Sequence, residues 1–331
     1  MVNKKCAYIL MLVLVVAAFL FSLISGTVDI SCIDAVKALL GNSVDETKTS
    51  IIRHVRFPHS IMACITGAGL AVSGCVFQGI LKNPLADPFT LGVSSGAVFG
   101  VAIAFISGLA TVTSFFVTVC AFLGSLLSTL IVYLLSMYKR FGSNSMVLSG
   151  VITSYMFSAA VMLIFALSPA TNIQSAFAWL IGTLSIFDER MVLFVAIIVI
   201  LGSVVLSLSG NIINAVSLGG EKSRTLGINI EGSIKFLFLT ASLITAATVS
   251  VCGIIGFVGL ITPHIMRKIV GTNNVILIPV SAFAGAFFLL TCDTLARTLF
   301  KPMVIPVGVI TNIIGGSFFV FLLLKRENSI A

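Results

Sequence analysis

The sequence predicts an all-α polytopic membrane protein of about ten transmembrane helices, a single domain over residues 1–331. Three observations carry that prediction. Of 331 residues, 58% are hydrophobic and 9% charged, against roughly 25% charged in soluble domains. Cutting the chain at its charged residues leaves eight long uncharged runs, 6–28, 57–81, 88–138, 141–187, 191–220, 236–266, 269–292 and 302–324. Small residues recur every fourth position inside them, as at Ala63, Gly67, Ala71, Cys75 and Gly79, which lets helix backbones approach closely in lipid. The composition excludes a water-soluble enzyme. Stretches such as 6–21 and 192–206 lack the alternating polarity of a membrane β-barrel.

A helix needs about 20 residues to cross the hydrocarbon core, and the runs divide accordingly. The first follows Lys4 and Lys5 and is longer than the roughly 7–15-residue core of a signal peptide, so it reads as a retained span over 7–25. The second gives 60–80. Run 88–138 is too long for one crossing and breaks at its Ser, Gly and Thr residues between Ser107 and Ser114, giving 91–107 and 114–137. In the fourth run, Ser168-Pro169-Ala170-Thr171-Asn172 ends a span over 146–167; the apolar remainder around Trp179 is too short to cross and reads as a re-entrant or interfacial helix. The next span is 191–209. Gly253, Gly256 and Gly259 divide run 236–266 into a full helix, 234–252, and a shorter one, 258–267, that carries Pro263. Spans 274–294 and 305–324 complete the set, and the four-residue spacing returns at Gly92, Gly96 and Gly100, at Gly150, Ser154 and Ser158, and at Gly308, Asn312 and Gly316.

An even number of spans puts both termini on one side. With the termini inside, 12 Lys and Arg residues face inward and 7 outward, which supports cytoplasmic termini. The net charge of +8 is scattered at span ends and not gathered on one face, so nucleic acid is not an implied partner. Seven Cys without a CxxC pair indicate neither a disulfide framework nor a metal site. No G-x-x-x-x-G-K-[ST] occurs, so the chain carries no ATP phosphate cradle.

Function is sought in four polar islands. Outside, Arg53-His54-Val55-Arg56-Phe57-Pro58-His59 precedes span two; its arginines sit among lipid phosphates or form a docking surface for an acidic soluble partner. Inside, Lys82-Asn83-Pro84-Leu85-Ala86-Asp87-Pro88 is a rigid turn suited to a constriction. Within the longest inner loop, about 215–230, Glu221 to Leu226 reads as a short surface helix ended by Gly227 and presented to a cytoplasmic partner. Asp293 and Arg297, four apart near an outer helix end, read as an ion pair that neutralises two costly charges.

Together these islands resemble the FecCD-type permeases of bacterial ATP-driven importers for ferric siderophores, haem and cobalamin. The resemblance runs from about residue 51 to 324. It rests on Gly67-Ala68-Gly69-Leu70-Ala71-Val72-Ser73-Gly74 with Gln78, on Asn83-Pro84-Leu85-Ala86-Asp87-Pro88, and on Leu91-Gly92-Val93-Ser94-Ser95-Gly96-Ala97. Gly256-Phe257-Val258-Gly259-Leu260 with Pro263-His264 and Arg267, Asp293-Thr294-Leu295-Ala296-Arg297 and Ile305-Pro306-Val307-Gly308 continue it.

The resemblance implies a bundle like that of the type II importers, in the bacterial cytoplasmic membrane, paired with a second copy or a close homologue. It implies two cytoplasmic ATPase subunits holding ATP and Mg, an extracytoplasmic substrate-binding protein, and no catalytic residue, metal or cofactor on this chain. By similarity, the segment with Gly219, Glu221, Arg224, Leu226 and Gly227 is the coupling helix. Arg56 and Arg297 pair with acids on the binding protein, with Arg53 an added candidate by proximity. His59 stands where the family's R-x-P-R motif has its second arginine, which makes that contact weaker or pH-sensitive. Asn83, Leu85, Ser143 and Asn144 resemble the inner gate. Ser223 and Ser317 depart from a common Ala and a common Pro. The implied activity is import of a ferric siderophore by alternating access, with haem or cobalamin as alternatives. An ion-coupled secondary transporter is a remote one, since only Asp293 approaches the membrane interior.

Overall fold

The computed structural model describes residues 4–26, 28, 30–40, 45–108, 114–138, 142–184, 189–218 and 229–327; these are helices and connecting turns, without a strand among them. The order begins with α1 (Lys4–Ile24), α2 (Cys32–Leu40), α3 (Glu46–Ser50), a π-helical segment Ile51–Arg56, α4 (Phe57–Leu81) and a 3-10 turn Pro88–Leu91. It continues with α5 (Val93–Ile106), α6 (Ser114–Tyr138), α7 (Ser143–Ala166), α8 (Ala170–Leu180), α9 (Glu189–Leu208) and α10 (Gly210–Leu218). It closes with α11 (Ile230–Cys252), α12 (Val258–Val270), α13 (Asn274–Thr298) and α14 (Val307–Glu327).

Among the described residues seven helices are long and apolar enough to cross a membrane. The shorter α5 and α12, and α14 with its apolar part Val307–Leu322, match the other three expected spans, and all ten helices agree with the sequence boundaries to within a few residues. Helix termini follow local chemistry. Pro58 sits in the first turn of α4, directly after the π-helical segment, and Lys82 ends the helix in a left-handed conformation. Asp87 caps the 3-10 turn and Asn273 caps α13, each accepting a backbone N–H two residues on. Between α11 and α12 the chain is extended, because Gly253 (φ +70°) and Phe257 (φ +68°) take conformations incompatible with a continuing helix.

The core centres on α4, which packs against α13, α11, α12 and α9; a second layer of α5, α6 and α7 adjoins it, and α1 lies on α13. The small-residue spacing sets how close these helices come. A Cβ on Gly74 would lie 1.9 Å from the Gly259 carbonyl oxygen of α12, one on Gly67 2.3 Å from that of Gly285 in α13, and one on Gly96 2.3 Å from that of Gly124 in α6. The outward faces of α1, α6, α7 and α9 are apolar and exposed, Leu201 at 62% and Met162 at 71%, as lipid contact requires.

Two features were not legible in the pattern. The stretch after span six turns at Ser209, whose hydroxyl bonds back to the Val205 carbonyl, and resumes as α10, burying Ile213 and Val216. The segment before span two is also helical, in α2, α3 and the π-helical segment. The short helix around Trp179 is α8, held by an Asn172 Nδ2 hydrogen bond to the Phe105 carbonyl at the end of α5 (3.1 Å).

Candidate functional site

The predicted site residues divide between two ends of the bundle. At one end, Asp293 is 2% exposed and its carboxylate is held by side chains of two helices. Arg297 Nε donates to its Oδ2 at 2.9 Å, one turn along α13; His59 Nε2 of α4 lies 3.0 Å from its Oδ1. Arg297 Nη2 donates in turn to Ser22 Oγ of α1 at 2.7 Å, and Ser22 bonds to Ser60 of α4, also at 2.7 Å. The expected Asp293–Arg297 ion pair is therefore the centre of a buried network joining α1, α4 and α13. Ser22 and Ser60 carried no sequence signal, since single serines in apolar runs are common.

The two arginines before α4 do related work. Arg56 donates to the carbonyls of Leu23 (2.8 Å), Ile24 (2.9 Å) and Val28, and Arg53 Nε donates to the Ala38 carbonyl at 2.7 Å. Each cation thus supplies donors that the last turns of α1 and α2 lack, at the negative ends of those helices. Arg56 and Arg297 are only 3% and 8% exposed, so their charge is directed into the fold, whereas Arg53 is exposed. Burial favours the internal acceptors because an unpaired guanidinium there is costly.

At the other end, Asn83 builds the turn after α4: its Oδ1 accepts the Leu85 N–H at 2.9 Å and its carbonyl accepts that of Ala86 at 3.1 Å. Leu85 is left 56% exposed. Ser143 and Asn144 open the first turn of α7, and no hydrogen bond joins them to Asn83 or Leu85 among the described residues. Asp87, which ends the turn, is buried, and that burial pushes its carboxyl up to about 7, against the lowering effect of the Phe89 N–H. The α7 helix presses on the 3-10 turn so closely that a Cβ on Gly150 would lie 2.7 Å from Leu91 Cα.

Gly219, Glu221, Arg224, Leu226 and Gly227 lie outside the described residues. Their flanks are α10, which packs on α4 and α13, and α11, whose N-cap Asn229 accepts the Gly232 N–H at 3.0 Å. Beside α10 a cavity of about 540 Å³ opens, with Gln78, Lys82, Asn214 and Arg267 in its wall. His264 sets its ring against Phe318 and Phe319 of α14, with centroids 6.1 and 6.2 Å away, a packing position. Among the described residues no three His, Cys, Asp or Glu side chains converge as metal ligands.

The comparisons with known proteins agree over the whole chain. The FecCD transport family matches residues 13–325. A cobalamin import system permease from Halobacterium salinarum is 39% identical over 88% of this chain and 78% of its own. A hemin transport system permease from Yersinia pestis is 34% identical over 96% of this chain and 95% of its own. Among solved structures, a chain described as a metal-chelate type ABC transporter in an inward-facing conformation superposes with a TM-score of 0.85 at 29% identity, covering 98% of this chain and all of the other.

Proposed function

The chain belongs to the FecCD transport family, a family of ABC importer permeases that are not themselves catalytic, and from that premise we propose that it carries a ferric siderophore across the cytoplasmic membrane. The observation that supports this most directly is the family match over 13–325 on a ten-span bundle. A chain with no phosphate cradle of its own depends on ATP and Mg held by separate ATPase subunits. Two such subunits sit on the cytoplasmic side, where both termini lie. A second permease copy or close homologue completes the pathway, and a binding protein delivers the substrate from outside. Relatives named for cobalamin and hemin make those chelates the alternatives.

In this reading the binding protein seats on the outer end, where Arg53 offers charge at the surface while Arg56, His59 and Arg297 brace the helices beneath it. Asn83, Leu85, Ser143 and Asn144 form the inner constriction. The segment with Gly219, Glu221, Arg224, Leu226 and Gly227 transmits closure of the ATPase pair to the bundle, and the bundle responds by exchanging outward and inward openings. Uptake by iron-starved cells with and without the gene tests the proposal, using radioactive iron as several ferric siderophores and as haem, and separately labelled cobalamin. Loss of one ferric siderophore alone is the expected result. Loss confined to haem or cobalamin moves the substrate, and no loss for any of them overturns the proposal.

A further inference from the structure

We propose that the cavity at the Lys82 end of the bundle binds a phosphate-bearing anion of the kind presented by anionic phospholipid headgroups. The cavity, about 540 Å³, lies among the end of α4, α10, the end of α12 and the start of α13. Two cations, Lys82 and Arg267, face it, and no carboxylate lies among its described lining residues.

Its polar groups are fixed before any ligand arrives. Asn214 Oδ1 accepts from the backbone and side-chain nitrogens of Asn274 at 2.8 and 2.9 Å, and its Nδ2 donates to Asn273 Oδ1 at 2.9 Å. The amides are thereby spent on holding α10 to α13. Gln78, 3% exposed, donates to the Gly259 carbonyl at 3.3 Å and accepts from Arg267 Nη2 at 3.0 Å. That contact orients the guanidinium while leaving most of its donors unused, and a planar guanidinium fits the oxygens of a phosphate better than any other side chain does.

Two basic residues at a helix end are commonly just solvated. Here one is held by a buried glutamine and both face one concave volume, with no carboxylate beside them among the described residues. The cavity lies at span ends, the depth at which headgroup phosphates lie, and basic pockets between spans bind such headgroups. The inference does not depend on the transported substrate.

Native mass spectrometry of the purified full importer complex, incubated with phosphatidylglycerol or phosphatidylcholine, tests it. The wild type is expected to retain phosphatidylglycerol on the order of tenfold better, and Lys82→Asn, which suits the left-handed backbone there, to lose about fivefold of that preference. Arg267→Lys keeps the charge and loses the fork, so a fall in retention there reports bidentate recognition; should that variant not fold, Lys82→Asn carries the test. Displacement of the lipid by millimolar inorganic phosphate, with a raised unfolding midpoint, assigns the site to a soluble phosphate instead of a headgroup. Equal retention of both lipids without any effect of phosphate, or a preference unchanged by Lys82→Asn, overturns the proposal.

Discussion

At the scale of single residues, the buried polar network turns on Asp293. Its two partners, Arg297 and His59, come from different helices, so Asp293→Asn leaves a guanidinium buried without a counter-charge, a loss of about 3–5 kcal/mol. A marked fall in the thermal midpoint of the purified protein is expected, partly restored when Arg297→Gln is added. An unchanged midpoint would remove the network from the stability of the fold. Asp87 gives a pH-dependent prediction of opposite character. Its folded pKa is raised to about 7 above the unfolded value near 4, so its contribution is fully present below about pH 4, falls as pH rises to about 7 and is constant above. Asp87→Asn keeps the cap and removes the titration. The variant should be more stable than wild type at pH 8, with the gap closing at pH 5, as thermal unfolding at the two pH values will show.

At the scale of elements, α4 depends on backbone contact more than on side-chain bulk. Gly74→Ala places a methyl where the Gly259 carbonyl already sits, forcing α4 and α12 apart at about 1–3 kcal/mol. Gly316→Ala in α14 meets nothing within 4 Å and serves as the control, its midpoint unchanged while that of Gly74→Ala drops. The four-residue spacing marked Gly67 and Gly96 as contact positions, but not which helix each would meet. Gly74 lies off that spacing, because α4 is surrounded and touches neighbours on several faces. For the segment between α10 and α11, Glu221→Ala with Leu226→Ala is expected to abolish uptake while the ATPase either dissociates or hydrolyses without transport. Retained coupled uptake would remove the segment from that role.

For the whole molecule, lipid replaces water as the solvent of the outer surface, and the exposed apolar side chains of α9 are part of the fold. A charge at the middle of that face costs about 2.5–3.5 kcal/mol. Leu201→Asp should therefore reduce the membrane-inserted yield of a fluorescent fusion, whereas Tyr138→Asp, 88% exposed at the end of α6, should not. The ten spans, the break at Gly253 and the short helix at Trp179 were legible in the sequence, because hydropathy and helix-breaking residues act locally, over a turn or a span length. The Asp293–Arg297 pair was legible for the same reason, being one turn apart on one helix. The contact of His59 with Asp293, the part of Ser22 and the carbonyls that Arg56 caps were not: Ser22 lies 275 residues from Arg297, and no periodicity links positions that meet only when α1, α4 and α13 pack. The sequence by itself determined that this chain lives in a membrane, where its apolar helices lie, and which family's motifs it carries. Only the tertiary structure decided where its charges point, because the choice between an outside partner and an internal acceptor depends on burial, and burial arises when helices distant in sequence close on one another.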